Sequence, residues 1–301
     1  MTAARLEIAQ PKGEEEGMAT QRNASSYTAL PTHKITARNG IEYAYREVGT
    51  SPVPLMLLQH FRGNLDNWDP ALIGDLSAKR RVITFNNTGV GSSSGSTPST
   101  IYEMSRDALA FTEALGLAQV DLLGFSIGSF IAQEMALARP AFVRKMVLAS
   151  SAPKGAPGMH GWAPWVIEAV GSQERTPPDK YISVFFAKSK TSSDAGAAAL
   201  QRMFTREEHD TPTSWQTKSA QYDAVCEWGI PNYSLLQRLE AIEMPVFVAN
   251  GDSDPMILPK FSYLLAALLP DARMQIYPDS AHGFLFQHHT EFAADVNSFL
   301  D

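Results

Sequence analysis

QVDLLGFSIGSFIAQEMALAR (residues 119–139) reads in three parts. The run 119–125 is short and apolar apart from Gln119 and Asp121, the pattern of a strand buried on both faces of a parallel sheet. IGSFIAQEMALAR (127–139) reads as a helix stopped before Pro140. Between them stands Gly124-Phe125-Ser126-Ile127-Gly128, a serine with a glycine two places to either side. In a strand–turn–helix context this pattern has a specific physical meaning. Ser126 sits at the tip of a sharp turn in a strained backbone conformation, and the glycines remove side chains that would clash across it. Its hydroxyl is presented above the sheet edge, while the helix N-terminus turns backbone N–H groups and a partial positive charge toward the reacting centre. Ser126 is therefore the candidate nucleophile.

The same rhythm extends outward. PLMLLQH (54–60), RVITFNN (81–87) and RKMVLAS (144–150) are further two-sided strands, and MPVFVANG (244–251) and MQIYPDS (274–280) resume the pattern later. KITARNGIEYAYREVG (34–49) holds two strand-like runs about Asn39-Gly40, which predicts a tight hairpin. STIYEMSRDALAFTEALG (99–116) has helical spacing, with Ser99 or Thr100 placed to cap it and Gly116 to end it. Further helices are expected over 259–268 and 291–300. Strands alternating with helices predict an α/β fold with a doubly wound, mostly parallel sheet. Residues 154–231 carry little strand signal and read as short helices, a helical cap (lid) inserted between core segments 27–153 and 232–301. Residues 1–26, with KGEEEG and several Ser, Asn and Gln, read as a flexible N-terminal tail.

A serine hydroxyl is a weak nucleophile and needs a base. Of the seven histidines, His282 in YPDSAHGF lies just past the last predicted strand, where the chain order serine, acid, histidine places the base. The acid that orients the imidazole is sought at the end of FVANGDSDP, which offers Asp252 and Asp254; Asp254 is favoured because the loop has turned toward the active face by then. Two backbone amides must stabilise an oxyanion. Ile127 follows the nucleophile, and Phe61 lies in the loop after the 54–60 strand. His60 reads as a structural side chain tying that loop, and Arg62 as a brace or a contact for an anionic substrate.

Composition narrows the partners. The net charge is −7 with no run of Lys or Arg, so nucleic acid is not expected. No stretch is long and apolar enough to span a membrane, no secretory signal is visible, and the single Cys226 cannot staple its own chain, so a cytoplasmic protein is expected. No metal-ligand spacing and no phosphate or dinucleotide loop is present, so no metal and no cofactor is expected. The partner is a small-molecule substrate; the oligomeric state is open.

These residues together resemble the α/β-hydrolase superfamily. The likeness rests on LLQHFRGNLDNWDP, RVITFNNTGVGSSSG, DLLGFSIGSFIAQEMA, VRKMVLASSAP, ANGDSDPMILP and YPDSAHGFLFQ. It is similar to the branch of small esterases, lactonases, meta-cleavage-product hydrolases and cofactor-free haloperoxidases (perhydrolases). The resemblance implies a triad of Ser126, Asp254 and His282, and a helical lid. Two departures stand out. The family usually has His-Gly before the oxyanion residue, where this chain has Gln59-His60. It often has Asp-x-Arg-Gly-x-Gly after the next strand, where this chain has Asn86, Asn87 and Thr88 before Gly89; losing both charges together strands neither. Four of the five tryptophans lie in the insert, so an apolar pocket is expected over Ser126, with Trp68, Trp162, Trp165, Phe186 and Trp228 as candidate substrate contacts. The expected activity is hydrolysis of an ester, lactone or related carbonyl bond through an acyl-enzyme. A non-hydrolytic enzyme of the same fold (perhydrolase, lyase or cyclase) and a ligand-binding protein with a slow triad are the competing readings.

Overall fold

A computed structural model describes residues 27–301 apart from Glu174. The expected N-terminal tail, residues 1–26, lies outside the described residues. Among the described residues eight strands form one sheet: β1 (His33–Thr36), β2 (Glu42–Val48), β3 (Leu55–Leu58), β4 (Val82–Phe85), β5 (Val120–Phe125), β6 (Val143–Ala149), β7 (Val246–Gly251) and β8 (Ala272–Tyr277). Their spatial order is β1-β2-β4-β3-β5-β6-β7-β8. β1 and β2 form the hairpin about Asn39-Gly40, with Gly40 at φ 79°, and β2 runs antiparallel to β4. Every pair from β4 to β8 is parallel. β5 is central: Leu123 is aligned with Leu57 on one side and Val147 on the other. All six of its residues are buried, which is why its sequence does not alternate.

The helices that cover the sheet follow from local chemistry. α1 (Pro70–Ser77) starts at Asp69, whose carboxylate accepts from the Ala71 amide, with Pro70 in the first helical position. α2 (Ile101–Ala114) is capped by Thr100, which accepts from the Glu103 amide, and ends before Gly116 at φ 67°. The stacked rings of Phe111 and Phe85, 4.4 Å apart, press α2 onto the sheet. α3 (Ile127–Ala138) follows β5 directly.

Between β6 and β7 the described residues hold no strand. They form α4 (Pro164–Gly171), α5 (Pro178–Phe185), α6 (Lys190–Met203), α7 (Trp215–Trp228) and a 3₁₀ segment (Tyr233–Ala241). α8 (Lys260–Leu268), α9 (Phe284–Gln287) and α10 (His289–Leu300) complete the chain. The insert is fastened to the core by polar clamps. Arg202 of α6 forks onto Asp69 at 2.8 and 2.5 Å, and Asp69 is fully buried. Arg202→Ala leaves that carboxylate without its cation and weakens the cap it gives α1. It is expected to destabilise the protein by about 3 kcal/mol, toward the lower end for buried pairs because Arg202 is part-exposed. Urea unfolding of Arg202→Ala beside Arg202→Ala/Asp69→Asn tests this: the double variant recovers stability if the stranded charge is the cause, and equal losses contradict it.

Candidate active site

The turn from β5 to α3 is built on backbone strain. Ser126 has φ 57° and ψ −124°, a conformation that costs a side-chain-bearing residue about 1–3 kcal/mol. The surroundings hold it there. The Ser126 amide donates to the Ala149 carbonyl (2.9 Å), and its own carbonyl accepts from the Ser129 amide (2.8 Å) and the Ser129 hydroxyl (2.5 Å). The two glycines are required by space. A Cβ on Gly124 would lie 2.5 Å from the Gly128 carbonyl oxygen, and one on Gly128 would lie 2.1 Å from that of Leu58. The first turn of α3 therefore lies against the carboxyl end of β3.

His282 and Asp254 meet from different loops. His282 Nδ1 is 2.8 Å from Asp254 Oδ2, and both side chains are buried. Oδ1 of Asp254 accepts from the amides of Met256 and Ile257 at 2.8 and 3.0 Å. A carboxylate so placed accepts, which puts the proton on Nδ1 and leaves Nε2 as a bare acceptor. Nε2 is buried and has no hydrogen-bond partner among the described residues; Ser126 does not bond to it. The imidazole packs 5.1 Å from the ring of Phe125, the residue before Ser126.

Asp252 does different work. Its carboxylate accepts from the amides of Asp279 and Ser280, fastening the end of β7 to the histidine loop. Gly251 permits this closeness, since a Cβ there would lie 2.4 Å from the Ala281 carbonyl oxygen. Two residues that the sequence did not single out join in. Ser150, at φ 48°, donates to Asn250 Oδ1, and Asn250 donates to the Ile257 carbonyl.

The loop after β3 holds the other amide expected to face an oxyanion, that of Phe61. Phe61 N–H donates to no group among the described residues. Ile127 is the first residue of α3, where an amide has no intrahelical acceptor. Gln59, standing where the family has another residue, shapes the loop: its Oε1 accepts from the His60 amide and its Nε2 donates to the Asn64 carbonyl. Arg62, at φ 64°, braces it against the insert. Its amide donates to Gln221 Oε1 (2.7 Å), its guanidinium to the Val170 and Gln173 carbonyls, and its carbonyl accepts from Thr213.

Comparison with known proteins identifies the family. Residues 53–289 match the alpha/beta hydrolase fold family. The chain belongs to that family. An alpha/beta hydrolase fold protein from Chitinophaga pinensis is 39% identical in sequence, superposes with a TM-score of 0.86, and the match covers 91% of this chain and 98% of that one. A non-heme haloperoxidase from Rhodococcus erythropolis is 23% identical over 282 residues, 89% of this chain and 98% of its own. A pimeloyl-[acyl-carrier protein] methyl ester esterase from Pseudoalteromonas atlantica is 24% identical over 255 residues, 83% of this chain and 95% of its own.

The hydrolase has a cavity of about 760 Å³ between the insert and the core. Its wall includes His282, His60, Phe61, Tyr181, Phe185 and Met256; Ser126, 2% exposed, is not part of it. None of the five aromatic residues expected to line the pocket does so. Trp68 is fully buried behind Phe125, with rings 6.5 Å apart. Trp162 supports Phe61 edge-on at 5.1 Å. Trp165 is 48% exposed. Trp228 stacks on Phe130 and donates its indole N–H to the Ala152 carbonyl, riveting α7 to the core. Phe186 lies just past α5 and packs on Gly196, where a Cβ would sit 2.7 Å from its ring. Its neighbour Phe185 lines the cavity instead, because the helix ends between them. Large rings such as Trp68 and Trp228 pack between layers here, which composition cannot distinguish from a pocket lining.

The neutral residues at 86 and 88 also have a structural cause. Asn86 Nδ2 donates to Asp210 Oδ2 of the insert (2.5 Å), and its Oδ1 accepts from the Leu65 amide. An aspartate at position 86 would set two carboxylates against each other. Thr88 shares a hydrogen bond with the Tyr43 hydroxyl.

His60 differs from His282 in lacking an acid. Its Nδ1 lies 2.8 Å from the Phe61 carbonyl oxygen, so Nδ1 carries the proton and Nε2 does not. Burial pushes its pKa down to about 3; the Phe61 carbonyl opposes this and His282 adds to it. The folded pKa lies below the unfolded one, so the unfolded chain binds the extra proton. The stabilising contribution is full above about pH 6.5 and is lost as pH falls toward 3, with a slope of up to about 1.4 kcal/mol per pH unit. Unfolding free energies measured across pH 3–7 should show this slope reduced by about one proton in His60→Asn. An unchanged slope contradicts it.

Proposed function

We propose that the protein is a serine hydrolase that cleaves an ester, lactone or related carbonyl bond of an apolar small molecule, with residues 154–231 acting as a cap over the site. The observation that carries the reading is the pairing of His282 with Asp254, which commits Nδ1 and leaves a buried, unpartnered Nε2 beside a strained serine turn. Ser126 Oγ attacks the carbonyl carbon and its proton passes to Nε2. Asp254 stabilises the imidazolium. The amides of Phe61 and Ile127 receive the oxyanion, and the α3 dipole adds to their field. The imidazolium protonates the leaving oxygen, and His282 then activates water to release the acid and free Ser126. The hydrogen bond from Ser126 Oγ to His282 Nε2 forms when substrate fills the site, as catalytic contacts commonly do.

The test is a panel of aryl and alkyl esters and lactones of increasing acyl size, followed by acid release. Turnover that is saturable and abolished in Ser126→Ala supports the reading. Absence of turnover across the panel by a folded protein contradicts it. Repeating the panel with hydrogen peroxide in place of part of the water separates a perhydrolase, which would form peracid from the same acyl-enzyme.

A further inference from the structure

Two residues of the cavity wall carry polar atoms that the proposed mechanism does not use. His60 Nε2 and Tyr181 Oη are buried and have no hydrogen-bond partner among the described residues. Leaving such atoms unsatisfied is costly, and native interiors rarely tolerate it without a reason. Both residues line the cavity, so a group that enters there is the available partner. Their placement relates them to the reacting centre. His60 and His282 pack against the same two rings: Phe125 at 5.2 and 5.1 Å, and Phe185 at 5.2 Å from each. Tyr181 stacks on Phe185 at 3.9 Å, its ring 6.5 Å from that of His60.

The chemistry of the pair is determined. His60 Nδ1–H is spent on the Phe61 carbonyl, so Nε2 can only accept. The Tyr181 phenol is held in its neutral form, burial pushing its pKa well above the usual value, so it has a proton to donate. An acceptor beside a donor matches a group that both donates and accepts.

We infer that His60 and Tyr181 form a specificity subsite for a hydroxyl group carried by the substrate near its scissile carbonyl, the hydroxyl donating to His60 Nε2 and accepting from Tyr181 Oη. This rests on the serine-hydrolase reading. An aprotic ether or a bare methylene at that place leaves both buried atoms unpaired, and sites built this way discriminate strongly against the analogue lacking the hydrogen-bonding group.

The experiment compares aryl esters of 2- and 3-hydroxyalkanoic acids with their deoxy and O-methyl counterparts of equal chain length. Enzyme is first titrated with a fluorophosphonate to count working serines. In the wild type, kcat/KM for at least one hydroxy ester should exceed that of both counterparts by about tenfold or more. His60→Asn keeps a donor near the place of Nδ1 and removes Nε2; Tyr181→Phe removes only the hydroxyl and keeps the stack. Each should bring the ratio close to one, whatever the change in turnover of the deoxy ester itself. A merely structural role would lower all three esters alike and leave the ratio intact. His60→Gln, which returns an acceptor at the reach of Nε2, should restore part of the preference. If the serine is labelled but the wild type shows no hydroxyl preference, or either folded variant keeps it, the subsite is overturned and the hydrolase reading stands. If Ser126 is not labelled, the hydrolase reading fails. Calorimetric binding of the free hydroxy acids against the deoxy acids then decides the subsite separately, equal affinities overturning it. Should His60→Asn not fold, the ratio measured in Tyr181→Phe alone decides between subsite and no subsite.

Discussion

Ser126→Ala should lower kcat by about 10⁵–10⁶ while leaving KM within a few-fold, as expected when the nucleophile of a concerted triad is removed. The size follows from how the parts depend on one another. The substitution leaves both members of the His282–Asp254 pair, 2.8 Å apart, in place, but the base then has no hydroxyl to deprotonate. The residual rate comes from the amides of Phe61 and Ile127, which still stabilise charge on a carbonyl attacked by water. Stability separates the chemical from the structural role. Alanine keeps a Cβ at φ 57°, so Ser126→Ala should change the melting temperature little. Ser126→Gly relieves the left-handed strain and should stabilise the fold by up to about 1 kcal/mol while being equally inactive. A stable, inactive pair of variants assigns the strain to catalysis. Retention of more than a tenth of wild-type kcat in either one contradicts the role of Ser126.

The second large effect is expected at Asp254. Its Oδ1 accepts two backbone amides, from Met256 and Ile257, and its Oδ2 faces His282 Nδ1. Asp254→Asn has only one acceptor oxygen, and the two amides claim it. The new NH₂ group then points at His282 Nδ1 and can only donate. The imidazole must present a lone pair at Nδ1 and carry its proton on Nε2, the wrong tautomer to take a proton from serine. The expected loss is about 10⁴ in kcat with the fold intact, since every backbone donor is still satisfied. Asp252→Asn is the contrast. Its carboxylate faces amides of the histidine loop and not the imidazole, so a loss of about tenfold or less is expected. Steady-state kinetics on the two variants decides between the carboxylates; similar losses at both positions would mean that the loop, not the charge, matters.

How much of this was legible in the sequence follows from where the information lies. β5 and α3 could be read from residues 119–139 because a strand buried on both faces, a glycine-flanked turn and a helix each leave a local signature. The hairpin about Gly40 and the Thr100 cap are equally local. α1 left no comparable signal: PALIGDLS is short, has a glycine within it, and owes its start to Asp69, which is also held by Arg202 from far along the chain. Contacts across the cavity were illegible for the same reason. Nothing near Phe185 and Phe186 says which ring faces inward; the end of α5 decides it. Tyr181 stood among many bulky insert residues, and only its unpartnered hydroxyl marks it. The change to Asn86 was visible as a departure from the family pattern, but its cause is the carboxylate of Asp210, more than a hundred residues away.

The central claim is that the hydroxyl at the β5–α3 turn is a nucleophile activated by His282. Peptide mass spectrometry after brief treatment of the folded protein with a fluorophosphonate tests it most directly. The account predicts one adduct per chain, on the peptide carrying Ser126, formed at least about a hundredfold more slowly in His282→Ala. An unmodified Ser126, or an adduct that forms at the same rate without His282, would contradict it.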